Sequence, residues 1–272
     1  MLFEVFSTVL LGIILGISEF LPVSSVGHSL VLSSLLSFPP TKVMRDSFAV
    51  FIEGGALLAV FLFFLRDLLS QMKQVASSPA VRQLWLNVVV AFLPVGIVGF
   101  IFHDWVERVL FSPLVVGISL IVGGIAFLLV ERRKQPATTV KLEDMTLSQA
   151  LWVGIAQIGA LIPGVSRSGS TIIGGLLVGL DRSVATLFTF YLFLPTLTAA
   201  SGYEIFHAIQ MGTIAPDLMP YFFLAAFVGF IVSLFAMRWL LNYVHNHTFE
   251  VFGVYRIVVG VIVLALVAVG RL

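Results

Sequence analysis

The sequence has no cysteine among its 272 residues. That excludes disulfides and thiolate-held metals, and redox chemistry says nothing about the compartment. Charge is also scarce: Asp, Glu, Lys and Arg make up 11% of the chain, against about 25% in an ordinary soluble domain. The net charge of +1 is too small for a polyanion-binding surface, so nucleic acid is not an expected partner. Glu4, rather than Lys or Arg, precedes the first apolar run, so no cleaved signal peptide is expected. What the chain has in excess is apolar sequence, 59% of its residues. Long apolar runs with so little charge indicate an all-α integral membrane protein, because backbone in lipid must satisfy its own hydrogen bonds.

Six stretches are long enough to span, at residues 48–65, 84–102, 114–130, 184–200, 221–239 and 251–269. Pro94 and Pro195 are internal kink points. Residues 5–17 are apolar, with Gly12 and Gly16 forming a small-residue face. That run falls short of the about 20 residues a span needs before Glu19 and Pro22 interrupt it. It reads as a helix that enters the membrane and turns back through residues 30–38; residues 147–161 and 172–180 form a second such pair. Residues 71–82 and 131–144 are polar linkers. The expectation is six transmembrane helices plus two re-entrant helix pairs.

Both re-entrant pairs turn at a polar break. The first reads Glu19-Phe-Leu-Pro-Val-Ser-Ser-Val-Gly-His-Ser29, the second Ile162-Pro-Gly-Val-Ser-Arg-Ser-Gly-Ser-Thr171. Ser24 and Gly27 stand to each other as Ser166 and Gly169 do, and Gly117-x-x-x-Ile-Val-x-Gly124 matches Gly253-x-x-x-Ile-Val-x-Gly260. The chain therefore reads as an internal duplication, residues 1–134 and 145–272, in one membrane domain. Three spans per half, an odd number, turn the halves upside down relative to each other, an inverted-topology repeat with its site near the midplane. Arg66, Lys73 and Arg82, then Arg132, Arg133, Lys134 and Lys141, then Arg238 fall on one side in this order. That side should be cytoplasmic. Lys42 and Arg45 fall outside, where they either attract an anion at the mouth of a pocket or are stray surface cations.

Ionisable groups inside a bilayer suggest a working site. Arg167, between Ser166 and Ser168, can grip phosphate oxygens bidentately, and Gly164 and Gly169 let backbone N–H groups approach the same oxygens. In the first break, Ser24 and Ser25 precede His28, and His28 could activate Ser25 as an adjacent base. The alternative for Ser24 is a helix cap. Arg256, inside the last span, reads as structural, paired with a carbonyl or a carboxylate.

Together the two breaks resemble the paired signatures of the bacterial undecaprenyl-diphosphate phosphatases, also called bacitracin-resistance proteins. The resemblance covers nearly the whole chain and includes Gly54, Ala59, Leu93-Pro94, Gln157 and Tyr255-Arg256. It implies hydrolysis of a polyprenyl diphosphate to the monophosphate at the outer face of the bacterial inner membrane, recycling the lipid carrier for peptidoglycan synthesis. It also implies catalytic roles for Glu19, Ser25, His28 and Arg167. Arg167 would hold the diphosphate, Ser25 would attack, and Glu19 and His28 would share proton transfer, with His28 as the alternative nucleophile. Ser24, Ser166, Ser168, Thr171 and Glu53 would bind substrate. Mg²⁺ or Ca²⁺ bridging a carboxylate (Glu19, Glu53) and the diphosphate fits oxygen-ligand chemistry. Expected partners are a polyprenyl diphosphate lipid and the membrane, with a homodimer allowed.

The chain departs from the family pattern at three positions. Leu15 stands where the family has Glu or Gln, Val26 where it usually has Thr, and Glu53 where it usually has Gln. Either Glu53 replaces the missing carboxylate from the next helix, or the acidic pair is lost. In the second case the chain would be a lipid-phosphate binding protein or flippase of the same fold with weak or no phosphatase activity.

Overall fold

The computed structural model describes residues 2–39, 41–133, 136–210 and 216–272, without the side chains of residues 42–44, 207–209 and 216. Eleven α-helices follow in order: α1 (Leu2–Phe20), α2 (Ser25–Leu36), α3 (Lys42–Phe63), α4 (Leu65–Gln74), α5 (Pro79–Leu110), α6 (Pro113–Glu131), α7 (Leu147–Ile158), α8 (Arg167–Leu177), α9 (Arg182–Gln210), α10 (Met219–Val244) and α11 (Glu250–Ala268). Among the described residues the only bridge between extended segments is an isolated parallel one, Thr139 to Leu180.

Among the described residues, seven helices are long and apolar enough to cross a membrane: α1, α3, α5, α6, α9, α10 and α11. Six of them correspond to the expected spans, although α3 stops at Phe63 and α11 at Ala268, short of the expected ends at 65 and 269. The seventh, α1, is longer than the apolar run that announced it, because the helix continues through Ser18 and Glu19 to Phe20. By length and composition alone it could cross the membrane. The polar stretch 71–82 is also more helical than expected, since α4 and α5 leave only residues 75–78 between them. Helix starts follow local chemistry. Ser78 and Ser112 cap α5 and α6, each with Pro at the first helical position, where the missing N–H is harmless. Thr146 and Gln149 form a capping box on α7.

Small residues bring the helices together. A Cβ on Gly16 of α1 would lie 2.9 Å from the Gly229 carbonyl oxygen of α10. Gly154 of α7 rests in the same way on the backbone of Ala91 in α5. Between α6 and α11 the contact is reciprocal. A Cβ on Gly260 would sit 2.8 Å from the Gly117 oxygen, and one on Gly253 2.9 Å from the Gly124 oxygen. Such backbone approach is how helices associate where lipid removes the hydrophobic driving force. Where the end of α1 meets the interior of α9 the core is aromatic. Phe20, fully buried, meets Phe190 edge-on with centroids 5.5 Å apart and Phe193 at 5.7 Å. This packing anchors the end of α1, and with it Glu19.

Candidate active site

Each polar break ends one helix and starts another with the same cap. Ser24 adopts φ 74°, ψ 103°, and its Oγ accepts from the N–H of Gly27 at 3.4 Å. Ser166 adopts φ 72°, ψ 122°, and accepts from Gly169 at 3.1 Å. L-residues rarely enter this backbone region, and such conformations persist where the surroundings over-determine them, often at working sites. The caps start α2 and α8, so the positive ends of both helix dipoles lie at the breaks.

Arg167 is the first residue of α8. Its Nη2 donates to Glu19 Oε1 of α1 and to Glu53 Oε1 of α3, each at 2.7 Å. The Glu19 side chain is only 4% exposed, while Glu53 and Arg167 keep 23% and 21%. Three helices thus place two carboxylates on one guanidinium. Removing one partner from such a buried pair leaves an uncompensated charge and costs about 3–5 kcal/mol. Glu53 stands beside Arg167, where a carboxylate displaced from position 15 would be needed, and Leu15 lines the same cavity.

That cavity, of about 300 Å³, is walled by Glu19, Glu53, Ser25, Ser29, Ser33 and Arg45 among mainly apolar side chains. Arg45 thereby stands on the pocket, as one of the two sequence readings had it; the Lys42 side chain and Lys134 lie outside the described residues. A space of this size with few convergent polar groups is the usual form of a small-ligand site.

The remaining predicted residues divide. Ser168 and Thr171 are fully buried, and their hydroxyls serve the fold. Ser168 Oγ donates to the Leu21 carbonyl at 3.1 Å, tying the second break to the first. Thr171 donates to the Arg167 carbonyl at 3.0 Å and accepts from Thr189 at 2.8 Å. Ser166 caps α8 and lies 3.1 Å from Ser168 Oγ. His28 Nδ1 is 2.8 Å from the Ser24 carbonyl. A carbonyl only accepts, so Nδ1 carries the proton, and in the neutral ring Nε2 accepts from the Tyr255 hydroxyl at 2.7 Å. The two rings stack with centroids 5.6 Å apart. Sequence reasoning named Tyr255 only as part of the resemblance; nothing in an isolated Tyr announces a partner so distant in the chain.

No group of three or more His, Asp or Glu that could hold a metal alone occurs among the described residues. The Glu19 and Glu53 pair nevertheless suits Mg²⁺, which is commonly held by one or two carboxylates together with substrate phosphates.

Comparison with known proteins agrees with these features. The family described as Bacitracin resistance protein BacA matches residues 8–262. An undecaprenyl-diphosphatase of Deinococcus radiodurans is 42% identical, covering 96% of this chain and 94% of the relative. Undecaprenyl-diphosphatase 2 of Pseudoalteromonas translucida is 42% identical over 97% and 98%. Undecaprenyl-diphosphatase 1 of Burkholderia lata is 43% identical over 94% and 92%.

Proposed function

Because the chain belongs to the bacitracin resistance protein BacA family, we propose that it hydrolyses undecaprenyl diphosphate to undecaprenyl phosphate and orthophosphate. The observation that carries this reading is the pairing of Arg167 with Glu19 and Glu53, two carboxylates that share a cavity wall with Ser25 in an otherwise apolar protein. A diphosphate entering there meets a guanidinium able to bind two of its oxygens and the positive ends of α2 and α8.

In the assigned sequence Ser25 Oγ attacks the terminal phosphorus. The bond from that phosphorus to the bridging oxygen breaks, and undecaprenyl phosphate leaves. Glu19 and, once its bond to Tyr255 opens, His28 divide the proton transfers, and water then hydrolyses the phosphoserine to free orthophosphate. Arg167 holds the charge on the transferring group throughout. Ser24 and Ser166 set the caps, while Ser168 and Thr171 hold the second break in register behind Arg167. A divalent cation held by Glu19 and Glu53 would neutralise diphosphate charge.

The reading includes two inverted repeats, residues 1–134 and 145–272, each a re-entrant pair plus three spans. Its support is the matching caps at Ser24 and Ser166 and the reciprocal glycine contacts of α6 and α11. The packing of α1 on α10 is likewise mirrored by that of α7 on α5. The Arg- and Lys-rich loops set the cytoplasmic side. The cavity wall includes Asp46 at the start of α3 and Phe111 to Pro113 between α5 and α6, ends opposite those loops, so the pocket opens to the outer face.

The test is purified protein in detergent with undecaprenyl diphosphate, following orthophosphate and the lipid product. Equal amounts of monophosphate lipid and orthophosphate are expected. Binding or transfer of the lipid across a bilayer without hydrolysis would replace the enzyme reading with that of a lipid-phosphate carrier.

A further inference from the structure

Arg256 stands midway along α11 with its side chain fully buried. Its hydrogen bonds run to backbone carbonyls of both polar breaks. Nη1 donates to Pro22 at 3.1 Å, and Nη2 donates to Gly164 and Val165, each at 3.0 Å. A longer contact reaches Ser119 of α6 at 3.5 Å. Pro22 follows the end of α1, and Gly164 and Val165 follow the end of α7. The carbonyls facing this one cation are thus loop backbone, just past α1 on one side and beyond the short turn Gly159–Leu161 after α7 on the other. This arrangement offsets the expense of a charge at membrane depth.

Two glycines leave room for the guanidinium. A Cβ on Gly169 of α8 would lie 3.0 Å from Nη1, and one on Gly123 of α6 would lie 2.8 Å from Cζ. The atoms nearest to that added Gly123 Cβ all belong to Arg256. The glycines that seat α6 on α11 are others, Gly117, Gly124, Gly253 and Gly260. Holding the helices and holding the loops are thus tasks of separate residues.

We propose that Arg256 is a positioning residue for the phosphatase site, fixing the separation of the break that carries Ser25 from the break that carries Arg167. The role rests on the phosphatase reading. Apart from the longer contact to Ser119 of α6, Arg256 bonds to loop backbone, and its fork reaches both loops at once. Lysine offers a single point of charge and cannot reproduce that span. A displacement of about 1 Å between groups that must meet one phosphate can reduce turnover about 10²-fold, which sets the size of the expected effect.

The experiment compares wild type, Arg256→Met, Arg256→Lys, Gly123→Ala and the Gly123→Ala/Arg256→Met double variant, all as full chains in detergent. Orthophosphate release from undecaprenyl diphosphate gives kcat and KM, and thermal unfolding reports the bundle. We expect Arg256→Met to lower kcat about 10²-fold with KM little changed and the bundle still folded. Gly123→Ala, which displaces the guanidinium without touching either break, should lower kcat in the same way. The double variant should be no worse than Arg256→Met, because residues acting through one contact are not additive. Arg256→Lys should recover little. Unchanged kcat in a folded Arg256→Met or Gly123→Ala protein would overturn the role, as would independent losses that multiply in the double variant. If Arg256→Met does not fold, the kcat of Gly123→Ala alone decides. A wild type that releases no phosphate would overturn the phosphatase reading and this role with it.

Discussion

The two polar breaks share a shape and differ in use. Both start a helix with a serine at positive φ whose hydroxyl accepts from a glycine N–H three residues on. In the second break the hydroxyls are committed to the fold: Ser166 caps, Ser168 reaches Leu21, and Thr171 reaches the Arg167 carbonyl. That leaves Arg167 as the group it presents. In the first break Ser25 and Ser29 line the cavity, and Glu19 comes from the helix before. On the proposed reading a duplicated scaffold has specialised: one copy would hold the phosphate and the other would react with it.

Changes to the charged centre should separate these tasks most sharply. Arg167→Ala should lower orthophosphate release by about 10³-fold or more, the scale of losing an arginine that neutralises a transferring phosphoryl group. Arg167→Lys should recover little, since a point charge cannot serve two carboxylates and a phosphate bidentately. Near-normal release by Arg167→Ala would remove the holding role from the second break.

Stripping divalent cations with a chelator should suppress release, and added Mg²⁺ or Ca²⁺ should restore it. Full activity in chelator would leave Glu19 as a proton-transfer group and Glu53 as a partner of Arg167. Glu53→Gln should cost about 10²-fold, the scale of misplacing a positioned group, because it removes one of the two carboxylates that hold Arg167. Leu15→Glu in the same chain should recover part of that loss by putting a carboxylate back on α1. A fully active Glu53→Gln protein would show that the second carboxylate is dispensable.

The smallest effects should be symmetric. Ser24→Ala and Ser166→Ala each remove one cap, worth about 1 kcal/mol, and thermal unfolding should shift by similar amounts in both. A large shift at only one of them would break the structural equivalence of the two breaks.

Much of this was legible in sequence because membrane helices signal themselves locally. The spans at residues 114–130 and 251–269 match α6 and α11 to within a residue at each end. The small face of Gly12 and Gly16 meets a partner helix as expected. The length of α1 was not legible, since Ser18 and Glu19 look like a break until their hydroxyl and carboxylate are seen satisfied: Ser18 donates to the Ile14 carbonyl and Glu19 accepts from Arg167. Nor was α4, whose outward Leu65, Leu69 and Met72 alternate with polar residues that read as linker. At the site, residue types gave Arg167, Glu19 and Ser25, and the departure at Leu15 pointed to Glu53. The assignment of Ser168 and Thr171 to internal bonds, and of His28 to Tyr255, depends on contacts between distant segments that no local pattern encodes.

The division of labour can be tested directly by finding where the phosphate goes. Protein mixed with undecaprenyl diphosphate labelled on the terminal phosphate, quenched at neutral pH within one turnover and digested, should carry the label on Ser25, and Ser25→Ala should carry none. Label on Ser166 or Ser168 would contradict the account by making the second break the reacting one, and label on His28 would move the attack from serine to histidine.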